Sequence, residues 1–134
     1  MGRILLVDDE AKLVTLLTSA LAYRGHEVTG VSSGQEALSL YETHRDKIDL
    51  IILDMVMPGM DGGETFDRLL TIDPDVKILL ISGYGLEGKA KEIRGKGCQG
   101  FIQKPFTIIQ LSEKIKTILS DNPLQKGGAV RRVE

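Results

Sequence analysis

Carboxylates dominate the residues of this chain that could do chemistry. Asp8, Asp9 and Glu10 stand together after the apolar run Ile4-Leu5-Leu6-Val7, and Asp54 follows Leu50-Ile51-Ile52-Leu53. Two other polar residues follow apolar runs in the same way: Ser82 after Ile78-Leu79-Leu80-Ile81, and Lys104 just beyond the weaker run Gly100-Phe101-Ile102. If a fold brings these positions to one edge, three carboxylates share a shallow pocket. Their mutual repulsion is on the order of several kcal/mol per close pair unless a cation sits among them. A hard divalent ion, Mg²⁺, suits such a pocket, because it takes oxygen ligands in an octahedron and keeps waters that a phosphate oxygen can replace. Lys104 then supplies a fixed positive charge and Ser82 a hydroxyl for the other phosphoryl oxygens. Asp54, ending the most apolar run, is left as the nucleophile that would carry an acyl phosphate.

The elements that would position these residues are legible in the hydrophobic pattern. Four short, continuous apolar runs suit strands buried on both faces, and Glu27-Val28-Thr29-Gly30-Val31 alternates as a less buried edge strand would. Between the runs the period becomes helical. Leu13, Leu16, Leu17, Ala20 and Leu21 make one stripe, with Gly25 placed as a left-handed cap. Ser33 and Glu36 have capping-box spacing and open a second helix through Ala37, Leu38 and Tyr41. A third helix is expected over 63–72, burying Phe66, Leu69 and Leu70 and closed by Asp73-Pro74. A weakly amphipathic fourth is expected over 86–96, and Leu111, Ile115, Ile118 and Leu119 mark a fifth. The order is (βα)₅, an α/β fold with a doubly wound parallel sheet, right-handed crossovers and helices on both faces. Such sheets bind ligands outside the carboxyl ends of their strands, where the acids, Ser82 and Lys104 all fall.

Composition narrows the remaining choices. The 134 residues, 42% hydrophobic, fit one domain over residues 1–120, with 121–134 as a flexible tail. A net charge of −2 with mixed signs excludes the basic stripe that nucleic acid or a membrane surface would require. The single Cys98 can form no internal disulfide and no zinc cluster, and reads as a partly buried structural thiol. The first apolar run is too short for a signal peptide or a membrane span and ends in three acids, so the expected location is cytoplasmic. His26 and His44 read as surface residues, with no partner at ligand or triad spacing.

On these residues the chain resembles the response-regulator receiver family of two-component signalling, from Arg3 to Leu119. The acidic pair Asp8 and Asp9, Asp54 within Leu-Asp-Met-Val-Met-Pro-Gly-Met-Asp-Gly, Ser82, and Lys104 within Lys-Pro-Phe carry the likeness. The resemblance implies a flavodoxin-like sheet of order 2-1-3-4-5. It implies that Asp9, Asp54 and the Val56 carbonyl bind Mg²⁺ directly, with Asp8 acting partly through water. It makes Phe101 a switch aromatic and Pro105 the residue of a cis Lys-Pro peptide that holds Lys104. Phosphorylation would draw Ser82 toward the phosphoryl group, let Phe101 rotate inward and repack the face formed by the fourth helix, fifth strand and fifth helix. Pro58, Gly59 and Gly62 shape the loop after Asp54, the glycines through backbone freedom. The implied partner is a sensor histidine kinase or a histidine phosphotransfer protein. Ser-Gly-Tyr after the fourth strand and the Lys-Pro-Phe segment look most like the C-terminal receiver of a hybrid kinase, whose kinase would lie in the same longer chain. The domain would be a monomer or weak homodimer, and a phosphoacceptor rather than an enzyme, assisting its own phosphorylation and a slow dephosphorylation.

Blander readings exist for each residue. An acid pair after a strand often serves as a solvated helix start, and a strand-ending Asp often caps a turn. A haloacid dehalogenase-type phosphatase needs a second acid two residues after its nucleophile, where this chain has Val56. A flavodoxin-like flavin site needs a hydroxyl- and glycine-rich loop after the first strand, where this chain has three acids. The remaining rival is a non-phosphorylated, receiver-like interaction module. Such a module would usually have lost one of the site residues, and here all are present.

Overall fold

A computed structural model of the chain describes residues 2–83, 91–93 and 95–120. Five parallel strands, β1 (Arg3–Val7), β2 (Glu27–Val31), β3 (Leu50–Asp54), β4 (Ile78–Ser82) and β5 (Gly100–Gln103), form one sheet in the order β2-β1-β3-β4-β5. Around it lie α1 (Ala11–Tyr23), α2 (Gly34–His44), α3 (Gly62–Ile72) and α4 (Ile108–Ser120). Most of the helix expected over 86–96 lies outside the described residues, although 91–93 are helical, so the expected fifth helix is α4 here. The expected tail over 121–134 also lies outside them.

The period of two along each strand sorts the core into two layers. Ile4, Leu6, Ile52, Leu79 and Ile81 point to one face and pack with Leu17 and Leu21 of α1 and Leu111, Ile115 and Ile118 of α4. Leu5, Val7, Ile51, Leu53 and Leu80 point to the other and meet Ala37, Leu38 and Tyr41 of α2 and Phe66 and Leu69 of α3. Because helices cover both faces, β3 and β4 are buried throughout, which is why their runs are continuous rather than alternating. At the edge, β2 remains largely exposed, as its alternation implies.

Local chemistry sets the helix ends. Ser33 Oγ accepts the Glu36 N–H at 3.1 Å, while the Glu36 carboxylate reaches back one residue further than a capping box does, to the Ser32 N–H and hydroxyl. Asp61 Oδ1 accepts the Glu64 N–H at 2.9 Å and starts α3. Gly25, at φ +91°, donates to the Ala22 carbonyl and ends the α1 turn.

Two expectations need correcting. Leu16 belongs to the apolar stripe of α1 but is 63% exposed, because Leu17 and Leu21 take the sheet-facing positions and Leu16 falls on the flank. His26 is half-buried rather than a free surface residue, and its Nδ1 accepts the Gly2 N–H at 3.1 Å. Burial lowers the pKa of that ring. Cys98 is half-buried, with its thiol donating to the Gly100 carbonyl at 2.7 Å, in keeping with a structural role.

Candidate functional site

Sheet order reverses between β1 and β3, and the acids gather at the carboxyl ends of those strands. Val7 lies beside Leu53 and Asp54 beside Ile81, while Ser82 lies beside Gln103, one residue before Lys104. Backbone bonds continue the ladder past the strand ends: the Met55 N–H donates to the Ile81 carbonyl at 3.0 Å, and the Lys104 N–H to the Ser82 carbonyl at 2.7 Å. The Asp8 N–H likewise donates to the Val31 carbonyl at 3.1 Å. The sheet itself therefore fixes the backbone beneath these side chains.

Carboxylate oxygens of Asp8, Asp9 and Asp54 lie within 4.8 Å of one another. At that spacing, two charges repel by about 3 kcal/mol at an effective dielectric near 20. Asp8 and Asp54 are buried, so water relieves little of this, whereas Asp9 is exposed. Lys104 Nζ stands 3.8 Å from Asp8 Oδ2 and 3.9 Å from Asp54 Oδ1, close enough to attract both carboxylates but too far to hydrogen-bond either. Asp8 Oδ1 accepts the Glu10 N–H at 2.9 Å, which leaves its buried Oδ2 with no hydrogen-bond partner among the described residues. Asp54 Oδ1 accepts only a long bond, 3.4 Å, from the Val56 N–H. Burial, reinforced by the Asp8 charge and opposed by Lys104, pushes the Asp54 carboxyl up to about 6. Burial also raises Asp8, against the Glu10 amide and Lys104.

These residues fit a hard divalent cation. Three carboxylates and one ammonium leave a net charge of about −2, which such an ion cancels. Ligands at about 2.1 Å in an octahedron lie about 3 to 4 Å apart, so a carboxylate set within 4.8 Å needs little adjustment. An unpartnered, buried anionic oxygen facing the cluster is the kind of group such an ion would satisfy. The solvated-helix-start reading fails for Asp8, which is 1% exposed.

Other residues singled out in the sequence occupy less direct positions. Ser82 is buried at the end of β4, its hydroxyl donating to the Gly83 carbonyl at 3.2 Å. Phe101 is half-buried and packs against the α2/α3 layer of the core. Val56 is exposed, Pro58 is exposed, and Gly59 has φ +76°. Met57 is buried in the core, so the Met57-Pro58-Gly59 stretch is an anchor as well as a turn. The Lys104–Pro105 peptide is cis. Gly62 differs from expectation: its φ is not among the positive ones, and it is needed because α3 begins against the backbone of Asp54 and Met55. Unforeseen in the sequence is an apolar groove of about 680 Å³, lined by Leu13, Leu16, Phe106 and Ile108 and also by Glu10 and Lys104, which makes it continuous with the site. Nothing in the sequence marks it, because Leu16 looks like any other member of the α1 stripe.

Comparison with known proteins bears on the whole arrangement. The model of the response regulator receiver domain matches residues 4–116. The chain is 35% identical over 116 residues to the sensor kinase CckA of Brucella abortus, a match spanning 87% of this chain but only 12% of that protein. It is 31% identical over 117 residues to sporulation initiation phosphotransferase F of Bacillus subtilis, spanning 87% of this chain and 93% of that one. A response regulator receiver domain protein from Clostridium thermocellum superposes with a TM-score of 0.86 at 28% identity, over 90% of this chain and 95% of the other. The solved CheX-CheY-BeF3-Mg²⁺ complex of Borrelia burgdorferi contains a similar chain, with a TM-score of 0.82 at 29% identity over 87% of this chain and 88% of that one. With the reversed sheet order and the acidic cluster at its switch point, this match over most of the chain makes it a member of the response regulator receiver domain family of two-component systems.

Proposed function

We propose that this domain accepts a phosphoryl group on Asp54 from the phosphohistidine of a sensor histidine kinase or a histidine phosphotransfer protein, in a Mg²⁺-dependent reaction. The observation that carries this is the buried carboxylate cluster with an unpartnered Asp8 oxygen and Lys104 beside both buried acids. An Asp54 carboxylate oxygen attacks phosphorus, the P–N bond breaks, and the imidazole departs with the electron pair, leaving an acyl phosphate on Asp54. Asp9, Asp54 and the Val56 carbonyl would hold the metal directly, and Asp8 would act partly through water. Bound there, Mg²⁺ would offset the charge on the transferring phosphoryl oxygens. Lys104 and the Ser82 hydroxyl take the oxygens that remain.

Ser82 has to leave its bond to the Gly83 carbonyl to do so, and the space it vacates admits Phe101 from its half-buried position. The repacked surface comprises β5 and α4, together with the expected fourth helix, most of which lies outside the described residues. A gap of only a few kcal/mol between the two packings lets phosphorylation reverse their populations. The apolar groove gives the donor protein a seat: since Lys104 lines the groove and stands beside Asp8 and Asp54, a helix bedded against Leu13 and Leu16 would present its phosphohistidine to Asp54.

In this reading the domain spans 1–120 with 121–134 appended, works in the cytoplasm as a monomer or weak homodimer, and touches neither nucleic acid nor membrane. It is a signalling phosphoacceptor with slow self-dephosphorylation, not an enzyme acting on separate substrates. The likeness to a sensor kinase supports a place within a longer kinase chain, and in this reading the domain is the C-terminal receiver of a hybrid kinase. Intact-protein mass after incubation with acetyl phosphate, with and without Mg²⁺, tests the proposal. A single Mg²⁺-dependent phosphoryl adduct, absent in Asp54→Ala, is expected; no adduct under conditions that label a control receiver would favour a receiver-like binding module.

A further inference from the structure

The missing side chain of Gly62 leaves room for backbone rather than for another side chain, at distances of 3.0 Å and less. A Cβ there would fall 2.6 Å from the Asp54 carbonyl oxygen and 3.0 Å from the Met55 carbonyl carbon, and would overlap the Met55 Cα. Backbone in a buried strand end cannot rotate away as a side chain can. The Gly62 N–H also donates to the Met55 carbonyl at 3.0 Å, while on the opposite side the Met55 N–H donates to the Ile81 carbonyl at 3.0 Å. Met55 is thus gripped between β4, through its N–H, and the first turn of α3, through its carbonyl, and Asp61 Oδ1 holds that turn through the Glu64 N–H at 2.9 Å. The gripped residue follows Asp54 directly and leads to Val56, whose N–H reaches Asp54 Oδ1.

Resting on the proposed function, we propose that Gly62 is a positioning residue: by letting α3 press on the Asp54–Met55 peptide, it sets the relation of the Asp54 carboxylate to Val56 and to Asp9 on which cation binding depends. An octahedral ion with ligands at about 2.1 Å tolerates little displacement, and a Cβ at position 62 demands a shift approaching 1 Å from one of its neighbours. If the strand end yields, the carboxylate moves. If α3 yields instead, only packing suffers. These two responses separate a positioning role from a purely structural one.

The test measures Mg²⁺ affinity of the full chain by calorimetry or by amide-shift titration, since the sequence has no Trp to report binding. Thermal midpoints are recorded alongside. Gly62→Ala should weaken Mg²⁺ binding roughly 10- to 100-fold, the range typical of lost outer-shell support. It should also shift the Val56 amide resonance in the metal-free protein. Gly63→Ala is the control: a Cβ there meets only Asp61 Oδ1 at 3.5 Å and Ile93 Cδ1 at 3.7 Å, and its Mg²⁺ affinity should equal the parent's. Should Gly62→Ala not fold, Asp61→Ala loosens the same grip without adding an atom and should weaken Mg²⁺ binding several-fold. A lowered thermal midpoint with parental Mg²⁺ affinity, in Gly62→Ala or in Asp61→Ala, would overturn the positioning role while leaving the proposed function intact. A parent protein that binds no Mg²⁺ would overturn both.

Discussion

Asp54→Asn is expected to make the Mg²⁺-free protein more stable at pH 7 than the parent. The Asp54 carboxyl is raised from 3.8 to about 6, so the folded protein binds its proton more tightly than the unfolded chain does. The stability this contributes is fully present below 3.8 and is lost as pH rises through about 6. At about 1.36 kcal/mol per pH unit the loss is roughly 3 kcal/mol. Asn has the same shape, keeps an oxygen for the Val56 N–H and carries no charge, so it escapes both the burial cost and the repulsion from Asp8. For a domain of this size, about 3 kcal/mol corresponds to roughly 10 °C in Tm. Urea unfolding followed by circular dichroism in EDTA, at intervals between pH 4 and pH 8, reads the effect. Parent and variant should nearly coincide near pH 4, diverge through pH 6, and hold a constant gap above pH 7. A variant no more stable than the parent at pH 7, or a gap that persists undiminished at pH 4, would refute the electrostatic account of Asp54.

Three further outcomes follow from the same geometry. Mg²⁺ at about ten times its Kd should stabilise the parent by about 1.4 kcal/mol, reversibly with EDTA, and should have no such effect on Asp9→Ala; thermal scans showing equal shifts in both would place the ion elsewhere. Val56 is exposed beside the acceptor and offers no polar group to an attacking water, so Val56→Asn should shorten the lifetime of the phosphorylated protein severalfold; an unchanged decay of the phosphoryl adduct by mass spectrometry counts against this. Tyr84, two residues past Ser82 as Val56 is past Asp54, is the other position expected from the sequence to flank that water, and it lies outside the described residues. Leu16→Glu, at an exposed position of the groove, should slow transfer from a phosphorylated donor protein at least tenfold while leaving acetyl phosphate labelling at parental rates. Equal loss with both donors would show that the substitution disturbs the site and not the docking.

Much of the fold could be read directly because its driving pattern is local. Continuous apolar runs mark β1, β3 and β4 since both of their faces are covered, and Ser33 and Gly25 announce helix ends by chemistry confined to one turn. The gathering of Asp8, Asp54, Ser82 and Lys104 follows from strand ends in a parallel sheet, but the order of the strands came from the family resemblance, not from the pattern. What stayed hidden depends on contacts distant in sequence. The adjacent Asp8 and Asp9 look equivalent, yet one is buried with an orphaned oxygen and the other exposed, because side chains alternate where the strand passes into the loop. Gly62 reads as a flexible turn residue, and only its approach to β3 shows that its lack of a side chain is steric. Leu16 continues a helical stripe that the sheet is too narrow to cover, and His26 meets Gly2 across 24 positions of sequence.

Borohydride reduction of the acetyl phosphate-labelled protein, followed by peptide sequencing, tests the central claim most directly, because it converts an acyl phosphate to homoserine where it stands. The account predicts homoserine at position 54 alone, only when Mg²⁺ was present during labelling. Homoserine at position 8 or 9, or a phosphoryl adduct that yields none, would contradict it.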